Sequence, residues 1–393
     1  MRPELIVAGK EFRDHISSKR FIIIFAILML LSIYSMVNGM GQYNQMLDQY
    51  KQNAQTNPQQ QWYQDQVASL QMQIQDAASR GAADEVRQLQ FQLDELVNPP
   101  MPSMLFIFGD LTQYFVLIAM VLSVAIGFDL ISREKEEGSL KSLLSHPLYR
   151  DAIINGKALG AIAVLAVSLA AMFLLTSSIM LFYGVVPGGD DILRIVVYFL
   201  MAMLYCSVFF ALALMTSTIA KSSAMSVLYV LGIVIAMVII PMLSYQIAGL
   251  VLGSPPQVPA GDDGGAVLYN NVVKDSAAIA PEPIQADSRM IAWNDEVQQY
   301  YQRLSLVTTS INAISPISSF RDNIASAIIY KAGGGGMITP MVSVSSFKPY
   351  MPTQAPTIWD SLMTVWGSIL AMLVELVIPL AVSYVFFLRM DVR

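Results

Sequence analysis

The sequence predicts an all-α polytopic membrane protein with six spanning helices, cytoplasmic N and C termini and two extracytoplasmic insertions. Three observations predict it. Hydrophobic residues make up 55% of the 393 positions and charged residues only 13%, with a mean hydropathy of +0.53, which is too apolar for a soluble domain. Apolar stretches occur at 20–40, 106–131, 158–183, 193–218, 225–252 and 361–388, and each supplies the roughly 20 residues that a hydrocarbon core requires. Lys and Arg gather in alternate connections: Arg2, Lys10, Arg13, Lys19 and Arg20 precede the first span, and Arg133, Lys135, Lys141, Arg150 and Lys157 follow the second. Short cytoplasmic segments carry that excess, so both lie inside, and Lys221, Arg389 and Arg393 agree.

The elements follow in order. The leader at 1–19 places Leu5, Ile6, Phe12 and Ile16 near one side of a helix, with Lys10, Arg13 and Lys19 available to lipid phosphates. That is an amphipathic elbow in contact with membrane lipid, the alternative being a disordered basic tail. Its length argues for a retained first span at 20–40 rather than a secretory signal. The outer segment at 41–105 opens with a Gln- and Asn-rich stretch to about residue 60 that is an extension or a linker. Val67, Leu70, Ile74 and Ala77, then Val86, Leu89, Leu93 and Leu96, form two narrow seams around a Ser79-Arg80-Gly81 turn. These predict a helical hairpin that serves as a spacer or dimer strut rather than as a ligand site. The second span is 106–131, a charged cytoplasmic segment covers 132–157, and spans follow at 158–183, 193–218 and 225–252. The outer region at 253–358 predicts a small mixed α/β or irregular domain, helical at about 288–312 and extended at Met337–Phe347. Its Trp293 and Tyr300 suit an aromatic belt at the membrane interface or a substrate platform. The last span is 361–388.

Composition and motifs exclude most soluble chemistry. Cys206 is the single cysteine and lies in the fourth span, so no disulfide or zinc cluster forms within one chain. The two histidines, His15 and His146, both fall in cytoplasmic segments, and no metal site is expected. No GxxxxGK[ST] phosphate loop occurs, because Asp151 stands where the NGK at 155–157 needs an upstream glycine. The chain is therefore not expected to be an enzyme or to bind a cofactor or nucleic acid. Glu375 demands a reason, because a charge at the bilayer centre costs about 2.5 to 3.5 kcal/mol on insertion scales. Pro379 deprives the carbonyl of Glu375 of its helical partner, as Pro241 does that of Met237. Glu375, Pro379 and Pro241 suit bent or moving helices lining a path, or a protonated acid bonded to a neighbour beside fixed kinks.

The charged segment is the most informative feature. DLISREKEEGSLKSLLSHPLYRDAIINGK at 129–157 passes from an apolar helix through Arg133, Glu134, Lys135, Glu136 and Glu137 to Gly138, where the helix can weaken. Leu140, Leu143 and Leu144 are spaced as one helical face. Pro147 is placed to open a second short helix, and Asn155-Gly156 reads as its stop. A solvated loop obeying the positive-inside rule explains the Arg and Lys but neither the Glu run nor the Leu ridge. The segment predicts a docking element outside the bilayer.

This region resembles the signature of type-2 ABC transporter permeases, especially their NatB- and NosY-like branch. The resemblance rests on Arg133, Glu134, Glu136, Glu137, Gly138, Leu140, Leu143, Leu144, Ser145, Pro147, Arg150, Gly156 and Lys157, and on the KEFRDHISSKRF leader. It implies a permease subunit of an exporter, multi-pass in the cell membrane, without its own ATPase site. It implies a separate ATP-binding subunit carrying ATP and Mg, and a second permease copy, so that two permeases and two ATPases work together. The segment between spans two and three would be the coupling helix, and the turn around Lys221 a lesser contact. Two rival expectations are an ion-coupled secondary transporter using Glu375, and a membrane-anchored binding or assembly protein acting through its outer regions.

Overall fold

The computed structural model describes residues 3–56, 60–81, 83–97, 102–138, 150–257, 288–329 and 357–389. Among these there is no strand. Six helices are long and apolar enough to cross a membrane: Lys19–Gln52, Met104–Glu136, Asp151–Phe182, Gly189–Ile219, Ser223–Met242 and Ile358–Arg389. The described residues form two compact units, the first comprising residues to 238 with 315–329 and 357–389, the second comprising 239–314. The expected extended stretch at 337–347 lies outside the described residues.

The first unit opens with α1 (Pro3–Ile16), separated by a Ser17-Ser18 turn from α2 (Lys19–Thr56). The Ser18 hydroxyl accepts from the Phe21 N–H at 3.2 Å and so caps the start of α2. Expected to end near 40, α2 continues for 38 residues in all. Its second half is rich in Gln without an interrupting Pro, and Gln is a good helix former although polar. Of the two readings of this stretch, extension or linker, the helix to Thr56 supports the extension. Then come α3 (Gln61–Ser79) and α4 (Ala83–Val97), which pack together as a hairpin. Gly81 adopts φ 72°, and Arg80 pairs with Asp76 at 3.0 Å and Glu85 at 3.4 Å across the turn.

The core is built on α5 (Ile107–Gly127) and α8 (Gly189–Ile219), between which run α6 (Ser132–Glu136) and α7 (Arg150–Phe182). Hydroxyl groups tie α8 to α5: Tyr198 and Thr112 lie 2.7 Å apart, and Tyr205 donates to the Val116 carbonyl at 2.7 Å. Asp110 of α5 accepts from Asn38 and Gln42 of α2, which places this acid in a helix-to-helix polar contact. A finding the sequence did not announce is the segment α12 (Pro316–Ser318), a π-helix (Ser319–Ala325) and α13 (Ser326–Ile329). Assigned by sequence to the outer region, it is instead buried among α5, α8 and the last helix, α14 (Ile358–Arg389). The Phe320 ring lies 5.0 Å from Tyr205 and 5.8 Å from Phe115, centroid to centroid. Arg194, fully buried in α8, donates to the Ile328 carbonyl at 3.1 Å and pairs with Asp190 at 2.9 Å. Short and serine-rich, the segment carries no span-length apolar signal, and its burial depends on partners far away in sequence.

The fifth apolar stretch is not one helix. α9 (Ser223–Met242) ends one residue past Pro241, and α10 (Ser244–Leu252) begins beyond Leu243. Pro241 cannot donate to the Met237 carbonyl, and the Leu243 N–H is shared between the carbonyls of Ile239 and Ile240 at 3.1 and 3.2 Å. In the second unit α10 packs on α11 (Ser288–Asn312). Tyr300 donates its hydroxyl to the Gly253 carbonyl at 2.8 Å, and Trp293 its indole N–H to the Pro256 carbonyl at 3.4 Å. Both rings are thus tied into the turn that follows α10.

Two glycines show why α1 lies against α7. A Cβ on Gly156 would stand 2.7 Å from the Glu4 carbonyl oxygen, and one on Gly160 would stand 2.7 Å from that of Ala8. Gly156, expected to stop a short helix, lies inside the continuous α7, because close backbone approach and not chain reversal is what it supplies. The packed side of α1 is Glu4, Ala8 and Glu11, while Leu5 and Ile6 are exposed and Phe12 and Ile16, further along the helix, pack on the core. Gly160→Val is expected to lift α1 from α7 and lower the melting temperature of the purified protein. Gly9→Val is the control, because a Cβ there meets nothing within 4 Å, and it should melt at or above the wild-type temperature.

Candidate functional site

At one end of the first unit, α1, the start of α2, the end of α5, α6, the start of α7 and the α8–α9 turn are joined by polar contacts. Helix α6 is bound to that turn from both sides. The Ser217 hydroxyl accepts from the backbone N–H groups of Ile131 and Ser132, each at 3.0 Å. These are donors that a helix start leaves unsatisfied. In return Lys135 donates to the carbonyls of Thr218 and, at 3.1 Å, Ala220, which close α8. The Glu136 carboxylate accepts from the Ser223 N–H at 3.1 Å, where an anion meets the start of α9. Gly138 then adopts φ 72°, a backbone that residues with a Cβ rarely take, and ends the helical path.

The centre of the arrangement is Lys157. Its ammonium is 2.7 Å from a carboxylate oxygen of Glu11 on α1 and 2.7 Å from one of Glu134 on α6. Its side chain is only 2% exposed, those of Glu11 and Glu134 8% and 16%. A buried ion pair of this kind adds little over an apolar substitute, but losing one member leaves charge without a counterion and costs about 3 to 5 kcal/mol. Since residue 134 precedes the 139–149 stretch and residue 157 follows it, Lys157 ties both flanks of that stretch to α1. Arg20 at the start of α2 adds a pair with Asp129 at 3.0 Å, its guanidinium also 5.6 Å from the centre of the Phe128 ring.

The sequence-predicted residues are distributed as follows. Glu134 and Glu136 are in the contacts just described, and Arg133 pairs with Glu137 at 2.8 Å on an exposed face. Leu140, Leu143, Leu144 and Pro147 lie outside the described residues, and Arg150 is the first residue of α7. Lys221 is exposed in the α8–α9 turn. Glu375 and Pro379 are on α14, remote from this end in sequence, and α14 runs through Pro379 without interruption. Both carboxylate oxygens of Glu375 are buried without a hydrogen-bond partner among the described residues. Glu11 and Arg194 were not singled out by sequence. The Gly156 and Gly160 pair, four residues apart, was the available signal that a helix passes over the start of α7 beside Lys157.

His15 lies on the same wall of α1, its Nε2 buried without a partner. Burial pushes its imidazole below the ordinary value of 6.5, against the pull of Glu11 and Asp129. Among the described residues no three His, Cys, Asp or Glu side chains gather as metal ligands. The arrangement joins α1, α2, α5, α6, α7 and the α8–α9 turn through ion pairs and backbone contacts.

A family model described as "ABC-2 family transporter protein" matches residues 5–392. No curated protein matches the chain.

Lys157→Met is expected to destabilise the protein by about 3 to 5 kcal/mol, because Glu11 and Glu134 are left facing each other. Adding Glu11→Gln should recover part of that loss, and chemical unfolding of the single and double variants in detergent checks it. The pH dependence follows from His15. As the pH falls, the unfolded chain takes up its proton near 6.5, before the folded ring does, so this contribution is complete above 6.5 and is lost below it. Melting temperatures between about pH 7.5 and 5.5 should fall more steeply for the wild type than for His15→Gln, and the two should run parallel above this window.

Proposed function

We propose, on the premise that this chain belongs to the ABC-2 family of transporter proteins, that it is the permease of an exporter powered by a separate ATP-binding subunit. ABC-2 chains are membrane transport subunits, and six membrane-length helices agree with a multi-pass protein of the cell membrane. Within the family, the 133–157 signature supports assignment to the NatB- and NosY-like branch. The charge distribution supports cytoplasmic termini, so that the end carrying Lys157 faces the ATPase. ATP and Mg are held by that partner, and two permease copies pair in the working assembly.

The observation that carries this reading is the Lys157 junction. The 139–149 stretch is the docking element, its Leu140, Leu143 and Leu144 offering an apolar ridge and its flanking charges orientation. With residues 134 and 157 bound together and to α1, and with Lys135 and Glu136 bound to the α8–α9 turn, a displacement of the docking element reaches α5, α7, α8 and α9 at once. Closing and opening of the ATPase pair would move these helices as a body. Glu375 and Pro379 on α14 and Pro241 on α9 are the proposed intramembrane path or hinge. Support comes from an acid with no hydrogen-bond partner among the described residues and from a proline, which cannot donate a helical hydrogen bond, inside each of the two helices.

The test is copurification with the cognate ATP-binding subunit together with ATP-dependent transport in vesicles. Leu143→Asp combined with Leu144→Asp is expected to abolish both while leaving the permease in the membrane with its wild-type melting temperature. Retention of the ATPase and of transport by that variant would overturn the reading. Transport that is lost in Glu375→Gln and proceeds without any ATPase would instead establish an ion-coupled carrier.

A further inference from the structure

The helical run that returns into the first unit is built unlike the spans around it. α12, the π-helix and α13 follow one another without a break from Pro316 to Ile329, and the run is enclosed by α5, α8 and α14. A π-helical stretch is rare and is frequent at functional sites. Polar groups treat the two ends of the run differently. At its far end the buried guanidinium of Arg194 donates to the Ile328 carbonyl at 3.1 Å and to the Ser361 hydroxyl at 3.4 Å, and pairs with Asp190 at 2.9 Å. In the middle Asn323 donates to the Ser368 hydroxyl at 2.9 Å. At the near end Ser315 and Ser319, 1% and 0% exposed, have hydroxyls without a hydrogen-bond partner among the described residues. Ser315 stands at the N-cap position, yet its side chain caps nothing.

Glu375 belongs to the same near end. Ser361, Ser368 and Glu375 follow at intervals of seven residues, two helical turns each, and so share one side of α14. Ser361 stands by Ile328 and Ser368 by Asn323, so the run and α14 are antiparallel. Two further turns of α14 bring Glu375 level with Ser315 and Pro316, at the end where Pro316–Ser318 packs on α14. Both carboxylate oxygens of Glu375 are buried without a hydrogen-bond partner among the described residues. A permanent core excludes such groups or satisfies them. Water that reached them when the run moved away would satisfy all three side chains. We propose that residues 316–329 are a movable plug that shuts the outer end of the transport path and that Arg194 is its latch. The closed state is held by Arg194 and by the packing of Phe320 against Phe115, Tyr198 and Tyr205; hydration of Ser315, Ser319 and Glu375 favours the open one. The proposal rests on the permease reading and adds where the path opens and which residue holds it shut.

Thiol labelling of the full chain in nanodiscs reads the plug without an ATPase or a substrate. Ser319→Cys places a reporter in the run, and Cys206, fully buried in α8, is the internal control. A small water-soluble thiosulfonate is the probe, and peptide mass spectrometry separates the two positions. With Arg194 intact the reporter is expected to react about tenfold faster than Cys206, because the run opens while α8 does not. Arg194→Met should raise the reporter's rate about tenfold more, the effect of losing a hydrogen bond from a charged donor, and leave Cys206 unchanged. Arg194→Lys, which keeps a donor, should fall between. A reporter no faster than Cys206, or one whose rate is the same in Arg194→Met, would overturn the proposal. Should Arg194→Met unfold the chain, seen as rapid labelling of Cys206, Arg194→Lys and the comparison with Arg194 intact decide it. Copurification with the ATPase in the Leu143→Asp, Leu144→Asp variant is read separately, so the plug and the permease reading fail independently.

Discussion

An ammonium group withdrawn from water is tolerated only with counterions close at hand, and Lys157 meets that demand with carboxylates from two other elements, 2.7 Å away on each side. The demand is reciprocal: Glu11 holds α1 in place, and Glu134 holds α6. The close approach of α1 to α7 at Gly156 and Gly160 is what brings Glu11 within reach. A helix that runs before the first span is thereby made part of the body that contains the third. The contacts of Lys135, Glu136 and Ser217 extend the same body to the α8–α9 turn. All of them lie where backbone groups at helix ends lack intrahelical partners, so satisfying those groups and joining the elements are one event.

The apolar interior obeys a different constraint. Between α5, α8 and α14 the packing is completed by a short segment containing a single π-helical stretch, with Phe320 set among Phe115, Tyr198 and Tyr205. Aromatic rings at these separations gain from tilted contacts as well as from area removed from solvent. Arg194 secures the segment by a carbonyl contact and by Asp190 on its own helix. A charged side chain in such a place is acceptable because its donors are directed at oxygen atoms. The charged end and the aromatic interior are thus maintained by unlike forces, one directional and the other set by shape.

Much of the fold was legible because membrane solvation leaves few choices. Six helices of membrane length appear where apolar stretches were expected, since no other backbone satisfies itself in hydrocarbon, and the fifth is shorter than read because it ends at Met242. The hairpin seams Val67, Leu70, Ile74 and Ala77 and their partners were readable because the period of a helix repeats locally. Gly138 was readable as a helix end because its backbone requirement is its own. Errors arose where a local signal had two meanings. Gly156 marks close packing and not a stop, and the Gln-rich stretch after residue 40, open between extension and linker, extends the helix to Thr56. Leu5 lies on the side of Phe12 and Ile16, yet it is exposed, because how much of α1 is covered is decided by its approach to the glycines of α7.

By itself the sequence determined a polytopic helical membrane protein, the positions of its spans and the unusual charge of residues 129–157, because hydropathy, helical period and charge are additive along the chain. Only the tertiary structure decided what the charges do. It paired Lys157 with residues 146 and 23 positions away, left the buried Nε2 of His15 without a hydrogen-bond partner among the described residues, and buried residues 316–329 in the bundle. Ion pairing and burial depend on distance in space, and close approach of helices is set by backbone geometry that no single stretch of sequence contains. The segment at 129–157 stood out as charge between apolar helices; its flanks are distinguished in the folded chain by the one lysine that binds them together.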